Sequence, residues 1–196
     1  MSGSPVRVAP LPPAEWNSDV IAALTGFVSP DLLERREAGT ALATMVRSPK
    51  LTKAFLRFNG YLLFGSTLPA ALRELAILRV AHLRDCQYEW VHHVELAEQA
   101  GLSRAAIEAV RDGRCDDPAG RAVLIAVDEL ERSSRISDST WAELQQHLDE
   151  PQRIDLVFTV GCYGLLAMAF NTFGVSPETE SKTAEPETSA AAEQEN

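Results

Sequence analysis

From about Gln152 to Thr172 the chain reads QRIDLVFTVGCYGLLAMAFNT, apolar on nearly every side of a helix. Such a helix has no solvent face, so it belongs inside a core or in a subunit interface. Its uncharged part, Leu156 to Phe170, is shorter than the roughly 20 residues a membrane span needs, so no membrane partner is expected. Gly161 and Gly164 inside it each cost about 1 kcal/mol relative to alanine, and close helix packing is the expected return.

The surrounding sequence also has a helical period. Leu51, Phe55, Phe58 and Leu62 follow Pro49 at helical spacing and predict a helix over about 50–65. Pro69 suits the first turn of a helix running to about Arg84. The next helix is predicted to start at Asp85 or Cys86, with Asp85 as its cap, and to stop at Gly101 in the left-handed conformation. Ser103 caps a short helix ending at Gly113, and CDDPAG breaks the chain before a helix over about 119–133. Ser137 or Asp138 caps STWAELQQHL, which Pro151 is expected to terminate. The prediction is an all-α fold, one compact helical domain over 15–175, oligomeric because a chain of 196 residues cannot easily cover its last helix alone.

Residues 1–14, with Pro5, Pro10, Pro12 and Pro13, read as an extended arm. Residues 176–196 carry six glutamates, one lysine and almost nothing apolar larger than alanine, and read as a disordered acidic tail. A net charge of −10 repels a phosphate backbone, which argues against nucleic acid as a partner. Three cysteines give no disulfide framework, and the first residues lack the apolar segment of a secretory signal, so a cytoplasmic location is expected. There is no glycine-rich phosphate loop after a strand.

Chemistry concentrates in ALRELAILRVAHLRDCQYEWVHHVELAEQAGLS. On a helix from Cys86 to Ala100, one stripe collects Cys86, Glu89, Trp90, His93, Leu96, Ala97 and Ala100. The next stripe, Tyr88, His92, Glu95 and Gln99, is mostly polar and expected at the surface. His92 and His93 point about 100° apart, and only His93 shares a face with Glu89. Glu74 groups with Ile77, Leu78 and Ala81 on the preceding helix. A carboxylate on an apolar stripe is rarely buried without a partner. Two of them with a histidine therefore mark a candidate proton-transfer site. The bland alternative is a helical Glu–His surface pair, with Cys86 as a small buried hydrophobe. His82 and His147 read as structural, and Cys115 and Cys162 are given no role. Cys86, Glu89 and His93 are metal ligands in kind but lack a fourth, so no metal is expected.

The segments Arg73-Glu74-Leu75, Ala76-Ile77-Leu78, Tyr88-Glu89-Trp90 with His93, and Ala97 with Gly101-Leu102-Ser103 resemble the carboxymuconolactone decarboxylase and alkylhydroperoxidase-D-like superfamily. The stretch Ser66 to Leu68, Ile136-Ser137-Asp138 with Trp141, and Gly161, Tyr163 and Asn171 extend the resemblance over about 50–175. Peroxidase-like members carry a glutamate, eleven residues, a CxxC pair, three residues and a histidine. Glu74, Cys86 and His93 fall on that spacing, while Glu89 stands at the second cysteine, so the dithiol is absent.

The resemblance is thus to the decarboxylase-like branch, which implies small all-helical proteins in trimeric or hexameric rings that need no cofactor. It implies a carboxy-lyase or a related isomerase, ring-opening or cyclising enzyme acting on a small unsaturated lactone or carboxylated substrate. On that reading His93, Glu89 and Glu74 are catalytic, and Arg73, Tyr88, Cys86 and Trp90 contact substrate, with Arg79 a further candidate for holding an anion. A thiol antioxidant working through Cys86 and a non-catalytic oligomeric binding protein are the alternatives.

Overall fold

The computed structural model describes residues 5–178; the stretches 1–4 and 179–196, which hold the start of the arm and most of the acidic tail, lie outside it. Among the described residues there are ten α-helices and no strand, only an isolated bridge between Thr25 and Val28. The helices are α1 (Ser18–Leu24), α2 (Pro30–Glu34), α3 (Gly39–Met45), α4 (Pro49–Gly60), α5 (Ala70–Leu83), α6 (Gln87–Gln99), α7 (Arg104–Ala109), α8 (Pro118–Ser133), α9 (Asp138–His147) and α10 (Glu150–Phe173).

The centre is α5, whose residues from Glu74 to Ala81 are all buried. It packs against α6, α8 and α10, and these four helices enclose the main core. A smaller core of Trp16, Val20, Leu24, Val28, Val46 and Leu56 joins the N-terminal helices to α4. The arm lies along the body: the amides of Arg7 and Val8 donate to the Phe173 carbonyl, and that of Leu11 to the Ala43 carbonyl.

Punctuation residues explain most boundaries. Ser103, Asp117 and Ser137 accept from backbone N–H groups at the starts of α7, α8 and α9. Gly101 takes φ +93° after α6. Two expectations fail. Pro151 does not stop α9; it sits in the first turn of α10, which Asp149 and Gln152 close as a reciprocal capping box. Asp85 does not cap α6; it takes φ +50° in a tight corner, and Cys86 becomes the N-cap with its amide on the Ala81 carbonyl. The helix predicted over 50–65 is regular only to Gly60, then widens into a π turn over Tyr61–Gly65.

By length and composition α10 is long enough to cross a membrane, yet half of its most apolar stretch is buried inside the fold. It is a core helix, anchored by Asp155, which accepts from Tyr61, Ser66 and Thr67. Its outer face leaves Ile154, Val157, Phe158, Leu165 and Met168 exposed. Gly161 lies on that open side and meets nothing. Gly164 does serve close packing, against a side chain: a Cβ there would come within 3.2–3.3 Å of the Arg84 guanidinium. Arg84 in turn pairs with Glu131 of α8 at 2.6 Å.

Candidate active site

The corner between α5 and α6 brings the two helices side by side, so a residue in the first half of α5 faces one in the middle of α6. Glu74, fully buried, accepts from His93 Nδ1 at 2.7 Å through one oxygen and from Arg73 Nε at 3.1 Å through the other. With Glu74 as the acceptor, Nδ1 is the donor, and in the neutral ring that tautomer leaves the lone pair on Nε2. Tyr163 of α10 meets the imidazole edge to face at 4.9 Å. Solvent reaches this cluster at the His93 side chain, 10% exposed, and at Arg73, 16% exposed.

Glu89 is one turn before His93 but makes no contact of this kind. It is buried, and neither carboxyl oxygen has a hydrogen-bond partner. Burial pushes its pKa from 4.5 up to about 8, against the downward pull of the Cys86 thiol and Arg84. Glu89 therefore keeps its proton at neutral pH. Burial and the neighbouring Glu89 carry the Cys86 thiol up to about 12. Sequence reasoning missed Cys162, which α10 delivers into the same neighbourhood: Asn59 Nδ2 donates to its sulfur at 3.7 Å, and burial moves its thiol to about 11. Tyr163 is raised well above its usual value, first by burial and then by Glu74. No local motif marks Asn59 or Cys162 as partners; the packing of α10 on α5, with Asn59 of α4 reaching Cys162, brings them there.

Other candidates lie elsewhere. Arg79 is committed to Asp128, at 2.6 and 3.0 Å, and to the carbonyls of Val110 and Arg111, so it holds α5 to α8 rather than a substrate anion. Trp90 is buried beneath the Arg111 guanidinium, 3.7 Å from the ring centre. With Cys86 and Arg111 it borders a cavity of only about 30 Å³. Tyr88 is not a solvent-facing residue: it stacks on His92 at 4.2 Å and meets Phe170 edge-on at 5.1 Å. His92 Nε2 pairs with Glu178 at 3.0 Å, outside the Glu74–His93 cluster. Leu96, expected on the buried stripe, is exposed. Among the described residues no three His, Cys, Asp or Glu side chains converge as a metal site.

The fold is a small all-helical one with a glutamate–histidine couple between two consecutive core helices. The carboxymuconolactone decarboxylase family profile matches residues 49–131, the segment holding Glu74, Cys86, Glu89 and His93, and ends before α9 and α10. Over this segment the chain is similar to that family. No curated protein is significantly similar to it in sequence.

Solved structures share the fold. A peroxidase-related protein with an alkylhydroperoxidase AhpD core, from Ralstonia eutropha JMP134, superposes with a TM-score of 0.73 at 18% identity, over 90% of this chain and 95% of that one. A peroxidase-related protein from Silicibacter sp. TM1040 gives 0.74 at 17% identity, over 92% and 96%. A cysteine-to-alanine variant of the debrominase Bmp8, in complex with 2,3,4-tribromopyrrole, gives 0.70 at 16% identity, over 90% and 94%.

Proposed function

We propose that the protein is an acid/base enzyme that needs no cofactor and acts on a small unsaturated lactone or carboxylated substrate, with decarboxylation as the leading reaction. The observation that carries this reading is the 2.7 Å contact between His93 and Glu74, with a second carboxyl, Glu89, buried one turn before His93 without a hydrogen-bond partner and pushed by burial toward its neutral form. The two carboxyls have opposite surroundings, which suits them to opposite tasks. Glu74 fixes the imidazole and leaves Nε2 as a base. Glu89 holds a proton it can give to carbon.

In a decarboxylation the bond to the departing carboxylate breaks and its electron pair flows into a conjugated carbonyl, giving CO₂ and a dienolate. Glu89 or the protonated imidazole then returns a proton to carbon, and the donor is recharged from water. In an isomerisation, His93 Nε2 removes a proton at one carbon before donation at another. Because the substrate's own carbonyl takes up the electrons, the residues need supply only the proton, the positioning and the exclusion of water. The thiol alternative is disfavoured by Cys86 itself: a pKa of about 12 leaves almost no thiolate at neutral pH.

The test is incubation in D₂O with a panel of carboxylated unsaturated lactones, extended to halogenated pyrroles because of the debrominase likeness. Release of CO₂ or deuterium entry at carbon, lost in His93→Ala, is the expected result. Peroxide consumption that depends on Cys86, with no exchange at carbon, would overturn it. We further expect a homo-oligomer, trimer or hexamer, joined through the exposed Ile154, Val157 and Phe158 of α10; a monomer at micromolar concentration by light scattering would refute that.

A further inference from the structure

Between α4 and α10 runs a groove of about 390 Å³, walled by Met45, Leu51, Phe55, Leu166, Ala169 and Phe173, with Val8 of the arm at one side. Its volume falls in the range of small-molecule sites, roughly 300–1,000 Å³. The groove carries a single charged residue, Arg47, and no acidic one. Arg47 is exposed, donates from Nε to the Ala9 carbonyl at 2.5 Å and from Nη2 to the Pro10 carbonyl at 3.4 Å, and has no carboxylate partner among the described residues. A guanidinium has five donors, so several remain for a further acceptor. In a chain of net charge −10, an arginine with no acidic partner among the described residues, at the rim of an apolar slot, matches an occupant with an apolar body and an anionic end.

We propose that this groove binds a medium-chain carboxylate, its hydrocarbon body between α4 and α10 and its anionic end on Arg47. None of the groove residues belongs to the Glu74–His93 cluster, so the proposal stands apart from the catalytic reading.

The experiment uses the full chain and a fluorescent dansyl-undecanoic acid probe, displaced by decanoate or by the uncharged decanol. Decanoate is expected to displace the probe at micromolar concentration. Arg47→Gln should weaken decanoate about tenfold, as expected for the loss of a charge-assisted hydrogen bond, and leave decanol unchanged. Ala169→Trp, at a half-buried position, should abolish both while the helical signal melts within a few degrees of the parent. Should that variant fail to fold, the surface change Arg47→Gln decides alone. No displacement by about 1 mM decanoate, equal losses for decanoate and decanol in Arg47→Gln, or full binding in folded Ala169→Trp would each overturn the proposal. So would dissociation of an oligomer by Ala169→Trp, which would make the groove a contact between copies of the chain.

Discussion

Glu89→Gln tests the protonated carboxyl without any knowledge of the substrate. Burial raises Glu89 from 4.5 to about 8, so the folded state binds a proton that the unfolded chain releases between those values. The folded state is then the more protonated one, and stability falls as pH rises through this window, levelling off above about pH 8. A gap of about 3.5, at about 1.36 kcal/mol for each tenfold, comes to about 5 kcal/mol, an upper figure because local relaxation and water entry reduce it. Glutamine has nearly the same shape and carries no titrating proton. The variant should therefore be close to the parent at pH 5 and more stable by several kcal/mol at pH 9, to the extent that other groups titrate alike in both. Urea unfolding of the two proteins across that range reads the difference. A stability gap that stays constant from pH 5 to pH 9 would refute a buried neutral Glu89 and remove it as the acid.

His93→Ala should lower turnover on any substrate found by roughly 10² to 10⁴, while His92→Ala, whose ring faces Tyr88 and Glu178, should change it little; circular dichroism confirms that both remain helical. Cys86→Ser should keep activity within about tenfold, since the thiol stays protonated, and total loss would revive thiol chemistry. Asp155→Asn should cost about 1–3 kcal/mol in urea unfolding by loosening the turn after Tyr61. Burial raises Asp155, but the hydrogen bonds from Thr67, Ser66 and Tyr61 outweigh it and hold the carboxyl below its ordinary value of 3.8. That stabilisation is complete above pH 3.8 and fades as pH falls below it, so the parent should lose more stability than Asp155→Asn on acidification.

Helical periods and capping residues were readable because they are local: Ser103, Gly101 and the stripe Cys86, Glu89, Trp90, His93 lie where spacing puts them. The N-terminal helices α1 to α3 escaped notice since they are only five to seven residues long and their apolar side chains serve a separate small core. Which groups pair across helices was readable only in part. Spacing grouped Glu74, Glu89 and His93 in one site and left either carboxylate as the partner of the ring; the corner at Asp85 sets α5 against α6 so that Glu74 is the one that reaches it. Arg79 looked available because its acceptors, Asp128 and the carbonyls of Val110 and Arg111, lie more than thirty residues away. Pro151 illustrates a different limit, for the same residue ends one helix or opens the next depending on which neighbour supplies the cap.

The contact of Arg84 with Gly164 ties together three positions distant in sequence. A guanidinium lying on bare backbone makes a methyl group at 164 a tight fit that the arginine must yield to by a few tenths of an ångström, and Glu131 holds that guanidinium in place. That contact couples the choices at the three sites. Among relatives that retain an arginine at 84, glycine should persist at 164, and where alanine or serine appears there, a shorter side chain should have replaced the arginine and the partner at 131 should have lost its charge.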